Sequence, residues 1–346
     1  MAEEVWTVRR ILDWCVGYLG RKGDEHPRLS AEWLLSNACD LTRVELYMNF
    51  DKPLSESELA LMREGVRRRG AGEPLQYVTG EMPFRHIVLR CEKGVLIPRP
   101  ETEVLVDAAL EAVDEAIERG CVFGDAEARA LEREAYVAKD TAEGEDDPRG
   151  TTDADAAGES EVEKETREPY PKGPRVLEVG CGTGCIALSV ASERRGTSVW
   201  TTDLSEVATR LATRNRDALG LGDFVRILTC DLADGVGEEL MGTFSVLVSN
   251  PPYIPTSVVD TLPNEVQGFE PHLALDGGLD GLDVFRRLLA LAPHALAPGG
   301  ALCVELFEEN VHTAADLTRS EPGWTHVEVR EDLTHRPRVL YAVREG

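Results

Sequence analysis

The sequence predicts an α/β protein: a small helical bundle, then a mostly parallel sheet of alternating strands and helices, closed by an antiparallel hairpin at one edge. Apolar residues recur at helical spacing through residues 1–73, and short apolar runs alternate with amphipathic patterns through residues 175–343. Continuous apolar strands separated by helices are typical of a buried parallel sheet. The hairpin is predicted because the last two strands have no helix between them.

Composition limits the classes of function. The 346 residues are enough for two domains. The net charge is −26, from 63 acidic and 37 basic residues, which argues against a protein held on nucleic acid mainly by phosphate contacts. No apolar run reaches the roughly 18 residues of a membrane span, and the first residues do not resemble a secretory signal.

The cysteines and histidines do not show the spacing that is typical of metal or disulfide sites. The eight cysteines have no paired CxxC spacing, which favours free thiols in a reducing cytoplasm. The seven histidines are scattered without an HxxxH or HExxH pair, so we expect no metal site.

Three regions are predicted: a helical bundle at residues 1–73, a β-hairpin connector at residues 74–98, and an α/β domain at residues 99–346. In the connector, Tyr77–Val78 and Ile87–Leu89 favour β-structure and are separated by turn residues. Arg67–Arg69, directly before a glycine, are typical of a helix end. A nucleic-acid contact is the less favoured interpretation of these arginines.

An acidic insertion is predicted at about residues 120–172. Within it, residues 140–168 hold twelve acidic and three basic residues, a net charge of −9, and Val162 is their only large aliphatic residue. Such a segment buries too little apolar surface to offset its ordering entropy. We expect a disordered spacer, with a regulatory or partner-binding role as the alternative.

The α/β domain begins with a helix from Leu105 to about Glu118 and continues after the insertion. The predicted strands are Arg175–Val179, Ser198–Thr202, Val225–Thr229, Phe244–Val248, Ala301–Leu306, Thr325–Val329 and Arg338–Val343, and the predicted helices are Ile186–Glu193, Ser205–Leu219 and Leu282–Leu296.

The first chemical motif is a glycine-rich loop after the first of these strands, Glu178-Val179-Gly180-Cys181-Gly182-Thr183-Gly184. Alternating glycines allow a sharp turn and a close approach of a ligand to the backbone. The dinucleotide fingerprint fits poorly because Cys185 occupies its last glycine position, and no Lys-Ser/Thr pair follows for a phosphate loop. The preceding Glu178 would repel a pyrophosphate but suits a cationic ligand.

Carboxylates follow the next two strands. Asp203 can accept hydrogen bonds from both ribose hydroxyls, and Asp231, with Leu232 beside it, is placed to contact an adenine. Together with the glycine loop, these residues indicate an adenosine ligand that carries positive charge and no phosphate. S-adenosylmethionine (SAM) has these properties.

The second motif, Asn250-Pro251-Pro252-Tyr253, follows the Phe244–Val248 strand. The prolines fix the backbone, so that the Asn250 side-chain oxygen and the Pro251 carbonyl can act as paired acceptors for a planar NH₂ group. Tyr253 supplies a ring face against a flat amide or base. The alternative is a simple proline turn at the end of a strand.

These motifs resemble class I SAM-dependent methyltransferases with a Rossmann-like fold, in the branch that methylates amino groups and shares the Asn-Pro-Pro-Tyr signature. Further segments resemble the peptide chain release factor glutamine methyltransferases, the PrmC/HemK family; they are Gly72–Gly80, Leu96–Glu103, Asn264–Val266 and Phe269–Leu275. The sequence departs from the family pattern at Phe307 and near His335, where a glycine is expected.

The resemblance implies methylation of the side-chain amide nitrogen of the glutamine in the Gly-Gly-Gln motif of release factors during translation termination, in the cytoplasm, without direct nucleic-acid or membrane binding. It implies catalytic roles for Asn250, Pro251 and Tyr253, and substrate contacts that add Pro252. The residues expected to bind SAM are Glu178, Gly180, Cys181, Gly182, Thr183, Gly184, Asp203, Asp231, Leu232 and Asn250. Arg99, Glu101, Glu103, Glu265 and Glu270 either line the site or serve local structure.

Two alternatives remain open. The first is a nucleic-acid methyltransferase that acts on the amino group of adenine or guanine. The second is a SAM-binding scaffold without turnover.

Overall fold

The protein is described here by a computed structural model, which covers residues 5–119 and 173–346. The predicted disordered insertion at residues 120–172 lies outside the described residues. In the described ranges, no helix combines the length and the apolar content needed to cross a membrane.

A bundle of helices forms the N-terminal part. Its helices are α1 (Val8–Arg21), α2 (Pro27–Cys39), α3 (Arg43–Met48), α4 (Glu56–Arg69) and α5 (Leu75–Thr79). Their apolar faces meet in one core that includes Leu12, Leu35 and Leu46. Capping boxes at Thr42 and Ser55 satisfy backbone amides at the starts of α3 and α4. The packed core and these caps together stabilise short helices that would be marginal in isolation.

A two-stranded antiparallel hairpin follows, formed by β1 (Glu81–Phe84) and β2 (Ile87–Arg90). The predicted first strand at Tyr77–Val78 is wrong, because these residues lie in α5. Pro74 precedes that helix and Gly80 ends it in the left-handed conformation, at φ 83°. Helix formation turns the Tyr77 ring inward, where its hydroxyl donates to the Val95 carbonyl at 2.7 Å.

The remaining residues form a seven-stranded sheet with flanking helices. The strands are β3 (Arg175–Val179), β4 (Ser198–Asp203), β5 (Val225–Thr229), β6 (Phe244–Ser249), β7 (Leu296–Glu305), β8 (Trp324–Glu331) and β9 (Pro337–Arg344). The helices are α6 (Thr102–Glu118), α7 (Cys185–Glu193), α8 (Glu206–Ala218), α9 (Thr256–Val259), α10 (Asn264–Gln267), α11 (Asp283–Ala295) and α12 (Val311–Ser320).

The strand order is β5-β4-β3-β6-β7-β9-β8. Strands β5, β4, β3, β6 and β7 run parallel, and β9 and β8 form the antiparallel hairpin at the edge. The predicted fold class is therefore confirmed. Apolar clusters cover both faces of the sheet, with α6 and α7 on one side and α11 and α12 on the other. Parallel strands end at one edge, so the loops after β3, β4, β5 and β6 meet there.

The turn between β8 and β9 explains the departure near His335. His335 has φ 63°, a left-handed conformation in which glycine is favoured. The turn is stabilised by Asp332, whose carboxylate accepts hydrogen bonds from the backbone amides of Thr334 (2.7 Å) and Arg336 (3.1 Å). The missing glycine therefore leaves the turn in place, at a cost of about 1 kcal/mol in backbone strain.

Candidate functional site

The carboxyl ends of β3, β4, β5 and β6 surround a cavity of about 250 Å³, which we call the large cavity. Of the residues predicted to bind SAM, it is lined by Gly180, Gly182, Asp203, Asp231, Leu232 and Asn250. Its other walls include Leu273, from the Phe269–Leu275 segment, and Val95, Cys230 and Val284, for which the sequence predicted no role. The predicted residues therefore come together at the edge of the sheet where parallel α/β folds bind ligands.

The glycine-rich loop and Asp203 are held together by backbone contacts. The Gly182 amide donates to Oδ2 of Asp203 at 3.0 Å, and the Ser205 amide donates to Oδ1 at 2.8 Å. Gly182 has φ 52°, and a side chain there would be strained. Each carboxylate oxygen of Asp203 retains acceptor capacity for a ligand hydroxyl, because a carboxylate accepts about four hydrogen bonds.

Asp231 and Leu232 lie at the mouth of the same cavity. Oδ2 of Asp231 accepts from the Arg287 guanidinium at 2.8 Å, and both side chains are about half exposed. Leu232 has φ 45°, and its carbonyl accepts from the Thr202 hydroxyl at 2.6 Å. This bond fixes an uncommon backbone conformation at the point where the apolar Leu232 side chain enters the cavity wall.

Four residues predicted to bind SAM do not line the large cavity: Glu178, Cys181, Thr183 and Gly184. The Glu178 side chain is fully buried and accepts a hydrogen bond from the Thr201 hydroxyl. Burial raises the pKa of Glu178 to about 8, although this hydrogen bond opposes the shift. All four of these residues are buried and face the interior rather than the cavity.

A second cavity of about 150 Å³, the small cavity, adjoins the first. Leu96, Asn250 and Ala274 line both cavities, while Arg99 and Tyr253 line the small one. Pro252 lines the large cavity, and Pro251 is not among the lining residues of either. Asn250 thus lies at the junction of two spaces that could hold two ligands.

The Asn250–Tyr253 loop is anchored on several sides. Asn250 Nδ2 donates to the Thr102 hydroxyl at 3.1 Å, which leaves Oδ1 as the end that Thr102 does not use. The Tyr253 hydroxyl donates to Oε1 of Glu305 at 3.1 Å, and Asn310 Nδ2 donates to the Tyr253 carbonyl at 3.2 Å. Thr102 lies in the Leu96–Glu103 segment that resembles the family, but no role was predicted for it. None was predicted for Glu305 or Asn310 either, because all three come from distant parts of the chain.

A glycine-rich segment, residues 277–281, packs directly on the Asn250–Tyr253 loop. A Cβ atom added to Gly281 would collide with the Tyr253 carbonyl oxygen, and one added to Gly277 would lie 2.7 Å from the Pro252 carbonyl oxygen. Gly281 also has φ 74°. The segment Gly277-Gly278-Leu279-Asp280-Gly281 is thus a sequence signal for the site, since glycine allows a close backbone approach.

Five polar residues were expected either to line the site or to serve local structure, and the structure shows different contacts for each of them. Arg99 lines the small cavity and pairs with Glu270 at 2.5 Å, and burial raises the pKa of Glu270. Glu265 pairs with Arg69 of the bundle at 2.7 Å. Oε1 of Glu103 accepts from the Arg85 backbone amide at 3.3 Å, a local structural contact. Glu101 is the residue before α6, and its side chain makes no capping hydrogen bond there.

The chain is similar to known proteins over nearly its whole length. Family models match at residues 10–80 (PrmC N-terminal domain) and 163–265 (Methyltransferase small domain). A release factor glutamine methyltransferase of Geobacter sulfurreducens is 37% identical over 88% of this chain and 85% of its own. One of Rhodopirellula baltica is 34% identical over 97% and 95%. A crystal structure of a methyltransferase from Pyrococcus furiosus is 23% identical, with a TM-score of 0.38 over 50% of this chain and 76% of its own. The chain belongs to the release factor glutamine methyltransferase family.

Proposed function

We propose that this protein transfers a methyl group from SAM to the side-chain amide nitrogen of the glutamine in the Gly-Gly-Gln motif of a peptide chain release factor. The observation that carries the proposal is the position of Asn250, which lines both the large and the small cavity. A methyl donor in one space and a glutamine side chain in the other would meet at this residue. The family names of the relatives support the same substrate.

The residues of the large cavity fit SAM. Asp203 and Asp231 offer carboxylate oxygens for the ribose hydroxyls and the adenine amino group, and Leu232 offers an apolar surface for the adenine ring. The single basic residue among the lining residues, Arg287, is ion-paired with Asp231, so little positive charge is left for a phosphate. When bound, SAM supplies an electrophilic methyl group on a sulfonium. The acidic lining suits that positive charge.

The small cavity suits a glutamine side chain. An amide nitrogen is a poor nucleophile because its lone pair is delocalised into the carbonyl group. Oδ1 of Asn250 would accept one N–H bond, orient the nitrogen towards the methyl donor and stabilise the positive charge that develops on it. The family resemblance implies the Pro251 carbonyl as the acceptor of the second N–H bond, although Pro251 is not among the lining residues of either cavity. The Tyr253 ring would pack on the amide plane. We assign no general base, since the nitrogen can lose its proton after the transfer.

The electrostatics favour a protein substrate over a nucleic acid. The three arginines that end α4 are all engaged in ion pairs: Arg67 with Glu64, Arg68 with Glu73, and Arg69 with Asp24 and Glu265. The net charge of −26 would also repel a phosphate backbone.

We extend the proposal to a cytoplasmic location, because the described cysteines are free thiols, as is typical of a reducing compartment.

The proposal is tested by incubating the purified protein with isotopically labelled SAM and a purified release factor, followed by peptide mass mapping. We expect one methyl group on the Gly-Gly-Gln glutamine. Asn250→Ala should lower kcat on the order of 100- to 1000-fold while the Kd for SAM changes little, because the lost acceptor acts on the substrate amide. Asn49→Ala, the same change at an exposed position in the bundle, is the matched control and should retain full activity.

Other outcomes would point elsewhere. Label on RNA or DNA instead of the release factor would favour a nucleic-acid methyltransferase. Binding of SAM without transfer to either substrate would favour a scaffold. Equal losses of turnover and SAM affinity in Asn250→Ala would contradict the division of roles between the two cavities.

A further inference from the structure

One wall of the large cavity is formed by the chain that follows the connector hairpin. We call residues 90–96, which start at the end of β2, the wall segment. Its residues 94–96 line the large cavity. Val95 is 2% exposed and belongs to an apolar cluster with Cys181 of the glycine-rich loop and Leu211 of α8. The wall segment and the glycine-rich loop therefore pack together at the predicted SAM site.

Asn215 of α8 joins the start of the wall segment to the glycine-rich loop, and it is 2% exposed. Its Oδ1 accepts from the Arg90 backbone amide at 2.9 Å, and its Nδ2 donates to the Arg90 carbonyl at 3.2 Å. Nδ2 also donates to the Thr183 carbonyl, inside the glycine-rich loop, at 2.9 Å. Because a backbone amide only donates and a carbonyl only accepts, these partners fix the orientation of the Asn215 amide. One buried side chain thus connects two parts of the cavity wall.

Tyr77 holds the other end of the wall segment from the side of the bundle. Its side chain is buried in a cluster with Cys91 and Ile97. Its hydroxyl donates to the Val95 carbonyl at 2.7 Å, and the bond is buried. Burial also raises the pKa of the Tyr77 hydroxyl, which therefore keeps the proton that it donates. Without this donor, the Val95 carbonyl would be a buried acceptor with an unmet hydrogen bond.

We propose that Asn215 and Tyr77 are positioning residues for SAM: they hold the wall segment against the glycine-rich loop in the arrangement that gives the large cavity its shape. The inference rests on the proposed function, since it takes SAM as the ligand of this cavity. Neither residue is among the lining residues of the large or the small cavity, so both act through the backbone that they bind and not by contact with SAM.

The loss of either tie acts on the free protein. The wall segment then occupies other positions in part of the molecules, and SAM binds only to the fraction in which the cavity has its full shape. The Kd for SAM rises by the inverse of that fraction. Bound SAM restores the wall, so turnover at saturating SAM stays normal. A purely structural role would have the opposite signature, because unfolding lowers the active fraction while the molecules that remain folded keep the normal Kd.

The test measures the Kd for SAM by isothermal titration calorimetry with Tyr77→Phe and Asn215→Ala in the full chain. Tyr77→Phe removes one hydroxyl, and we expect Kd to rise on the order of 10-fold. Asn215→Ala removes all three of its hydrogen bonds, and Kd should rise on the order of 100-fold. In both variants, kcat at saturating SAM and the KM for a release factor should stay within about threefold of the unmodified protein.

Tyr47→Phe is the matched control for the hydroxyl. The Tyr47 hydroxyl bonds Glu32 at 2.5 Å and Arg28 at 3.0 Å within the bundle, so its loss also lowers stability. The Kd for SAM should nevertheless stay within about twofold, as it should in Asn49→Ala, the control for the asparagine. An equal rise of Kd in Tyr47→Phe and Tyr77→Phe would overturn the positioning role, because it would follow from stability alone.

Binding and turnover together separate this inference from the proposed function. If Kd changes as expected but the unmodified protein transfers no methyl group to a release factor, only the proposed substrate fails. If turnover is normal and both variants are folded with an unchanged Kd, only the positioning role fails. If the unmodified protein binds no SAM, both fail. If thermal melting shows that Asn215→Ala does not fold, Tyr77→Phe decides the question.

Discussion

Buried carboxylates have pKa shifts of opposite direction in the helical bundle and near the methyltransferase site. In the bundle, Glu32 is 2% exposed and accepts hydrogen bonds from Arg28 at 3.0 Å, Arg43 at 2.5 Å and Tyr47 at 2.5 Å. Burial alone would raise the pKa of Glu32, but these donors together lower it. The ionised side chain therefore stabilises the bundle.

Near the site, Glu178 and Glu305 are also buried, yet their pKa values are raised. In the described part of the chain, no donor makes a hydrogen bond of good geometry to Oε1 of Glu178 or Oε2 of Glu305. A buried oxygen without a hydrogen-bond donor lowers the free energy of unfolding. Groups that destabilise the fold in this way are often found at functional sites. The difference separates a buried carboxylate whose partners favour the charged form from two whose burial disfavours it.

Glu178→Gln tests the destabilising side of this comparison. The pKa of Glu178 is raised to about 8 from an ordinary value of 4.5, so between these values the folded state binds one more proton than the unfolded state. Stability is then lost as pH rises, by about 1.4 kcal/mol per pH unit, or about 3 kcal/mol by pH 7. We expect urea unfolding at pH 5, 6 and 7 to show this extra slope in the unmodified protein and not in the variant. Equal slopes would place Glu178 in the same class as Glu32.

Glu32→Gln tests the stabilising side. The amide group turns an NH₂ donor towards two guanidinium groups and a hydroxyl, and it loses the charge that they surround. We expect a loss of about 2 kcal/mol in the free energy of unfolding at pH 7, with kcat per folded molecule unchanged. Glu25→Gln, at an exposed position nearby, is the matched control and should change stability by less than about 0.5 kcal/mol. A variant as stable as the control would mean that the ion-pair cluster contributes nothing.

Glu58→Gln probes a weaker stabilising carboxylate in the same bundle. The Lys52 ammonium and the Ser55 backbone amide lower the pKa of Glu58 to about 2. A lowered pKa gives stability that is present above about pH 4.5 and lost as pH falls towards 2. We expect the variant to be about 1 kcal/mol less stable at pH 6, with the difference vanishing near pH 2. Glu56→Gln, in the same first turn outside the capping box, is the matched control and should change the free energy of unfolding by less than about 0.5 kcal/mol.

The sequence predicted this site only in part, and the residues show why. Periodicity located β3 at Arg175–Val179 because a buried strand is a local apolar run. The glycine loop and the Asn250–Tyr253 motif were likewise readable because each is contiguous. The bond between Asn250 and Thr102 joins residues 148 apart in sequence, and local patterns carry no information about such pairs. Helix α12 was missed because its buried positions are mostly small, as at Ala314 and Ala315.

Loss of the ion pair between the helical bundle and the methyltransferase site should have the smallest effect on the free energy of unfolding. Arg69 of the bundle pairs with Glu265 of α10, but Glu265 is about half exposed, whereas the other Arg69 partner, Asp24, is 4% exposed. An exposed ion pair contributes little, so Glu265→Gln should change the free energy of unfolding by no more than about 0.5 kcal/mol. Turnover should be unchanged, because Val266 and not Glu265 lines the small cavity. Steady-state kinetics with a release factor check this expectation. A tenfold rise in KM without a loss of kcat would contradict it, and would mean that the bundle positions the wall of the small cavity for the substrate through the Arg69–Glu265 ion pair.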